Sequence, residues 1–209
     1  MGRNAGTWTA RAVGTVTIDL SLNHDSRHNQ GIMKHTKEAV KLLVQIQIEG
    51  KKKEAENERF RRFWKNSDHS DEELRRIASR IESEIDCTQC ANCCRVPVVT
   101  VEEHEISRLA HYLNISPATV IAEYTDEDEG CHVLRQTKDG CVFLKNNLCT
   151  VYDARPDQCE GFPYLSKGEG EIVSHSYALM DRVCYCPIVY HSVEAFKDAL
   201  SFPRSTKRK

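Results

Sequence analysis

The hydrophobic pattern changes its period several times along the chain. Through residue 31 it is sparse, and Gly, Asn, Ser, Thr and His prevail; Val13 to Leu22 alternates weakly, which predicts at most a lone strand carrying Val16, Ile18 and Leu20. From Met33 to about Lys65 apolar residues recur at helical spacing. Ala39, Leu42, Leu43 and Ile46 come first, then Phe60, Phe63 and Trp64, with Gly50 as the expected break between two helices. Ser70-Asp71-Glu72-Glu73 is a capping box: the Ser70 hydroxyl can accept from the third helical N–H while Glu73 reaches back. The helix it opens carries Leu74, Ile77, Ala78, Ile81 and Ile85 on one stripe.

Beyond Cys87 the predicted elements shorten. Arg95 to Val99 reads as extended. Thr100 and Glu103 repeat the capping-box pattern ahead of a helix whose buried face holds Ile106, Leu109, Ala110 and Leu113 and which Asn114 ends. Ser116-Pro117 starts another, with Pro at the first helical position where its missing N–H costs nothing; Val120, Ile121 and Tyr124 form its apolar side. Then Cys131 to Thr137, Cys141 to Leu144 and Leu148 to Tyr152 read as three strands. Asp139-Gly140 and Asn146-Asn147 join them, because both pairs tolerate positive φ. The stretch from Glu160 to Pro187 reads as irregular. Ser192 to Leu200 closes the pattern as a short amphipathic helix with Ala195, Phe196, Ala199 and Leu200 inward.

These elements predict an α+β fold: a small loop-rich, metal-stabilised domain with a short β-meander and flanking helices, preceded by a helical N-terminal arm. The expected divisions are a mobile tail at 1–31, the helical arm at 32–85, a cysteine-rich metal-binding domain at 86–201 and a basic tail at 202–209. Packing is the default role of the arm, which also offers a surface for a protein partner.

Charge narrows the functional classes. The formal net charge is -2, so no overall field points to nucleic acid or to a membrane surface. The basic runs Lys51-Lys52-Lys53, Arg59, Arg61 and Arg62, and Arg204, Lys207, Arg208 and Lys209, read as a solvated helix face and a frayed end. No stretch approaches the ~20 apolar residues of a membrane span. The first residues lack the apolar core of a signal peptide, and position six is Gly rather than the Ser or Thr of a myristoylation pattern. The expected location is therefore cytoplasmic.

That location gives the ten cysteines their meaning. All lie between Cys87 and Cys186, and in a reducing compartment such clustering suggests metal ligands rather than disulfides. Thiolates are the soft donors that zinc and iron–sulfur clusters prefer. Two intervening residues let a tight turn aim two sulfurs at one centre, and that spacing occurs twice in Cys87-x-x-Cys90-x-x-Cys93. Cys94 follows at once. Adjacent side chains diverge, so Cys93 and Cys94 are expected to serve two sites, or one to serve a site while the other packs. Cys141, Cys149, Cys159 and Cys186 lie far along the chain. A strict two-residue turn at Asn146-Asn147 pairs Leu144 with Cys149 and leaves Cys141 on the opposite face of a regular strand. A three-residue loop would instead pair Phe143 with Cys149 and put Cys141 on the same face, so either those two cysteines feed different places or the hairpin is bulged. Arg95 and Arg155 are the candidate cations for balancing thiolate charge, Arg155 being held extended by Pro156. Cys131, Cys184 and the histidines, among them His104, His111 and His132, lack a tight-turn ligand context. Zinc and an iron–sulfur cluster both suit the pattern: Cys₄ zinc sites draw on remote pairs, and three close cysteines with a later Cys186-Pro187 match ferredoxin spacing. Since a structural zinc contributes ~10–16 kcal/mol and a domain is stable by only ~5–15 kcal/mol, loss of metal is expected to unfold the cysteine region.

Taken together, Cys87-Thr-Gln-Cys90-Ala-Asn-Cys93-Cys94, Gly140-Cys141-Val-Phe-Leu144, Cys149-Thr-Val-Tyr152-Asp-Ala-Arg155-Pro156-Asp-Gln-Cys159, Phe162-Pro163 and Cys186-Pro187 resemble the CxxCxxCC (YkgJ-type) family, described as zinc- or iron-chelating. The resemblance spans roughly residues 85–190; Cys131 and Cys184 are additional to it, and residues 1–66 have no counterpart. The ligands expected from residues and resemblance together are Cys87, Cys90, Cys93, Cys94, Cys141, Cys149, Cys159 and Cys186, and the expected cofactor is zinc or iron, including an iron–sulfur cluster. The expected function is a metal-binding protein. Its alternative is an iron–sulfur-cluster-dependent enzyme, since one related branch contains flagellin lysine methylases, which implies protein lysine N-methylase-like chemistry. No Gly-rich phosphate loop or Ser–His–Asp arrangement points to a nucleotide enzyme or a hydrolase.

Overall fold

The computed structural model describes residues 36–67, 71–166 and 172–204. The expected strand near Val16, the Ser70 cap and Lys207 to Lys209 lie outside them.

Helix α1 spans Thr36–Lys52 and α2 Glu54–Lys65. The break falls at Lys53 rather than at Gly50. Gly50 stays helical and serves close packing instead: a Cβ there would stand 3.1 Å from the Cys184 Cα. Helix α3, Asp71–Glu84, buries the predicted stripe of Leu74, Ile77, Ala78 and Ile81. These helices pack against the last helix of the chain. Phe60 meets Phe196 edge-on at 5.8 Å between ring centres, and Trp64 meets Phe196 at 5.3 Å. With Leu179, Val183, Val189 and Val193 they form the larger of two cores. Each such side chain, fully buried, contributes about 1.5–3 kcal/mol.

A single helical turn, α4, covers Cys87–Cys90. Helix α5 is Glu103–Leu113 and ends at Asn114 in the left-handed region (φ 55°), as predicted. Its capping pair is Glu102 and Glu105, not Thr100 and Glu103: the Glu105 carboxylate accepts from the Glu102 N–H at 2.8 Å. Thr100 is unavailable because it is still extended and bridged to Val133. Helix α6, Pro117–Tyr124, starts as predicted, with the Ser116 hydroxyl accepting from the Thr119 N–H at 3.1 Å. Val120 is buried, whereas Ile121 is 37% exposed.

The β structure is three separate antiparallel ribbons. Strand β1, Thr125–Asp128, pairs with β2, Cys131–Leu134, around Glu129-Gly130. Strand β3, Gln136–Thr137, pairs with β4, Gly140–Cys141, and β5, Leu144–Lys145, with β6, Leu148–Cys149. Strand β1 was not legible because Asp126-Glu127-Asp128 disfavour strands; hydrogen bonding to β2 overrides that preference. The second turn is Lys138-Asp139, with Gly140 inside β4 at φ 119°. The third is the predicted Asn146-Asn147, both residues at positive φ. A second core of Val99, Ile106, Leu109, Val120, Leu134, Phe143 and Val151 lies under these ribbons.

Three further helices follow: α7, Asp157–Glu160; α8, Ser176–Arg182; and α9, Pro187–Ala199. The stretch expected to be irregular thus contains α8. Helix α9 begins five residues before Ser192, because Cys186 is its N-cap and Pro187 its first residue. Phe196 is buried as expected, but Ala199 is exposed, and Ile188, Val189 and Val193 supply the inward face instead.

Candidate metal centre

The cysteine knuckle is built by local chemistry. Asp86 caps α4, its carboxylate accepting from the Thr88 N–H at 2.9 Å and the Thr88 hydroxyl at 2.6 Å. One turn of helix puts Cys87 and Cys90 on the same side. Ala91 then reverses the chain at φ 50°, and Asn92–Cys94 continue as a 3₁₀ turn. Buried Asn92 donates to the Tyr185 carbonyl at 2.9 Å, which ties the knuckle to the approach of Cys186. Arg95 donates to the Cys90 carbonyl at 2.9 Å and to the Asn147 side chain at 2.5 Å, tying it to the β5–β6 turn.

Gly140 closes the remaining side. A Cβ there would lie 2.7 Å from the Cys94 carbonyl oxygen and 3.0 Å from Arg95 Cγ, at a φ that L-residues rarely adopt. Gly140→Ala should therefore lose about 2–3 kcal/mol of stability and part of the bound metal. Urea denaturation and metal analysis check this; an unchanged midpoint would show that the β3–β4 turn is not held by this contact.

The distant cysteines arrive from four elements: Cys141 ends β4, Cys149 ends β6, Cys159 lies in α7 and Cys186 caps α9. The strand question resolves through a break in the ladder. Leu144 does pair with Cys149. Yet β4 ends at Cys141 and β5 starts at Leu144, with the Val142 N–H turned to the Arg135 carbonyl at 2.9 Å. Alternation is interrupted, so Cys141 and Cys149 line the same cavity.

Two cavities collect the sulfurs. A wide one, about 310 Å³, is lined by Cys87, Cys93, Cys94, Cys141, Cys149 and Cys159. It lies between the cores, with Leu134 and Phe143 on one wall and Ile188 on the other. A narrow one, about 20 Å³, is lined by Cys87, Cys90, Cys93 and Cys186 and closed by Ile85, Phe162 and Pro187. The eight expected ligands are thus brought together around two adjoining spaces. Cys94 faces only the wide one, Cys90 and Cys186 only the narrow one, and Cys87 and Cys93 face both. Cys93 and Cys94 have their sulfurs 4.0 Å apart. Cys131 is exposed on β2 and Cys184 packs by Gly50; neither lines either cavity.

The donor set demands a cation. Burial, reinforced by neighbouring thiols, pushes the Cys159 and Cys186 thiols up to about 12 and those of Cys87 and Cys141 up to about 11. Cys87 is exposed as a residue, but its sulfur faces inward onto both cavities. Within the adjacent pair, the hydrogen bond from Cys93 lowers Cys94 and raises Cys93. Arg155 draws Cys149 and Cys159 down without overcoming burial. Buried thiols in this number ionise together only around positive charge in their midst, which a thiophilic metal supplies. The set therefore fits a metal.

A closed zinc site with Zn–S near 2.3 Å sets its sulfurs about 3.8 Å apart. Among the described residues, the three His, Cys, Asp or Glu side chains with ligand atoms all within 4.8 Å of one another are His104, Glu105 and Asp157, so no three cysteine sulfurs stand that close. The charges of that trio are already engaged: Asp157 pairs with Arg108 at 2.7 Å, and Glu105 accepts from the Asp157 N–H at 2.8 Å.

Polar groups around the wide cavity escaped the sequence reading. Arg155 lies 3.8 Å over the Tyr152 ring. Its Nε, Gln136 Nε2 and Glu82 Oε1 are buried without a hydrogen-bond partner, and all three residues line this space. Gln136 was accessible through register, since it pairs with Cys141. Glu82 gave no signal beyond lying one turn before the knuckle on the polar side of α3.

Residues 86–185 match the model of the CxxCxxCC family, described as "putative zinc- or iron-chelating domain". The matched segment is similar to a metal-chelating domain, and Cys186 follows directly on its last matched residue. No curated protein and no solved structure matches the chain. Among the described residues no helix is long and apolar enough to cross a membrane.

Proposed function

We propose that this protein binds two neighbouring iron–sulfur clusters, one held by Cys87, Cys90, Cys93 and Cys186, the other by Cys94, Cys141, Cys149 and Cys159. The observation that carries the reading is the spread of the sulfurs: no three lie within 4.8 Å of one another, too open for one zinc tetrahedron. In a cubane cluster each cysteine serves a different iron, so wider separation is the natural arrangement. Such a cluster supplies one-electron chemistry when bound. The chain's own residues shape its surroundings. Ile85, Phe162 and Pro187 keep water from the narrow side. Arg155 and Gln136 bring unpartnered donors to the lining of the wide side, and donors that reach sulfur raise a cluster's potential.

One feature favours a second reading. The wide cavity falls at the lower end of the ~300–1,000 Å³ typical of small-molecule sites, as an enzyme modifying protein side chains at a cluster would require. Both readings share the same first test. Anaerobically prepared protein should contain iron and acid-labile sulfide and absorb near about 400 nm. Cys186→Ser and Cys159→Ser should each remove about half the iron, and the double variant nearly all of it. Stoichiometric zinc without sulfide would overturn the assignment.

A further inference from the structure

Among the described residues that line the two cavities, Gln136 and Arg155 carry unpartnered donors, whereas Glu82 carries the unpartnered acceptor. It belongs to α3, four residues before the matched domain begins. One carboxylate oxygen accepts from the Ser166 hydroxyl; the other, Oε1, is buried and accepts from nothing. Its side chain lines the wide cavity, as Cys87 does. A carboxylate among converging thiolates is unfavourable unless a cation lies between them. With one oxygen anchored by a hydroxyl and the other free, Glu82 has the form of a single-oxygen metal ligand with its supporting hydrogen bond in place.

We propose that Glu82 is an oxygen ligand at the Cys87 corner of the first centre, where Cys87 and Cys93 line both cavities. There the Glu82 carboxylate would hold the metal in place of the Cys87 thiolate, a displacement in which one donor's electron pair takes the place of the other's and no electron is transferred. The corner faces the roomy cavity, whereas Cys90 and Cys186 are enclosed on the narrow side. The first centre thus has one labile position and three fixed ones.

This inference rests on the cluster reading above, and variants separate the two. If anaerobic wild-type protein holds no iron and sulfide, the cluster reading itself fails. If it does, iron and sulfide per chain are measured in Cys87→Ala, Glu82→Gln, the double variant Cys87→Ala/Glu82→Gln and the control Cys90→Ala. Expected are near-complete iron in Cys87→Ala and in Glu82→Gln, and loss of one centre in the double variant and in Cys90→Ala. The electron paramagnetic resonance spectrum of reduced Cys87→Ala should also change, because oxygen replaces sulfur on one iron. Loss of one centre in Cys87→Ala alone overturns the proposal, as does a double variant that keeps both. Gln preserves the volume and the Ser166 bond, and far-ultraviolet circular dichroism confirms that each variant is folded.

Discussion

Chelation of the metal from anaerobic, reduced protein should unfold the hairpin region, residues 125–160, while the helices around Phe60 and Phe196 stay protected. The reason is the poverty of regular structure there. The longest ribbon has four-residue strands and the other two have two-residue strands. An isolated two-stranded hairpin is marginal in water. The ribbons are not joined into one sheet, so they cannot lend one another hydrogen bonds. Their core is the smaller of the two, and the wide cavity opens beside it. What joins β4, β6 and α7 is the convergence of Cys141, Cys149 and Cys159. Metal–thiolate binding of zinc-finger size supplies on the order of 10 kcal/mol, comparable with the ~5–15 kcal/mol holding a whole domain. Hydrogen exchange read by mass spectrometry decides the matter: fast exchange at 125–160 in the stripped protein, slow exchange at 71–84 and 187–199. Unaltered protection across the hairpins would mean that protein packing alone holds them.

Much of this was visible in the residues themselves, and the failures have physical causes. Helix α3 was legible because Leu74, Ile77, Ala78 and Ile81 repeat at helical spacing and all became buried. The β5–β6 turn was legible because few residues besides Asn accept two successive positive φ values. Helix α8 was missed because its inward contact reduces to Leu179 with support from Met180, too few apolar positions to reveal a period. The start of α9 was missed because Cys186-Pro187 reads as a ligand pattern, while the same pair also serves as N-cap and first helical residue. Which cavity each cysteine faces depends on the ladder break at Val142-Phe143 and on the reversal at Ala91. Neither leaves a trace in spacing. Nor did the adjacency of Cys93 and Cys94 foretell their closeness: expected to diverge, their sulfurs stand 4.0 Å apart and both residues line the wide cavity.

The other large effect is expected far from the cysteines. Lys197 is completely buried on α9, its ammonium 2.8 Å from Glu56, 2.7 Å from Glu194 and 2.5 Å from the Asn57 side chain. Glu194 also accepts from Lys53 at 2.6 Å and from Arg204 at 2.5 Å. Burial alone would raise the Glu194 carboxyl; hydrogen bonds from the three cations overcome it and hold it down at about 2. The network joins α2 and Lys53, at the break before it, to α9 and Arg204 beyond it, so it locks the N-terminal helices to the end of the cysteine-bearing chain. Lys197→Met removes the central cation while keeping the volume of the stem, and leaves half-buried Glu56 and buried Asn57 without that donor. Breaking one partner of a buried pair costs about 3–5 kcal/mol. Glu194 keeps Lys53 and Arg204, which places the expected loss at the lower end, about 3 kcal/mol. The double variant Lys197→Met/Glu56→Gln should recover part of it, because the stranded charge is gone. Arg76, in an exposed pair with Glu73, is the contrast: Arg76→Ala should leave the denaturation midpoint unmoved. Urea titration of metal-loaded protein followed by circular dichroism separates these cases. Equal midpoints for Lys197→Met and Arg76→Ala would show that the network is not what fastens the helices to α9.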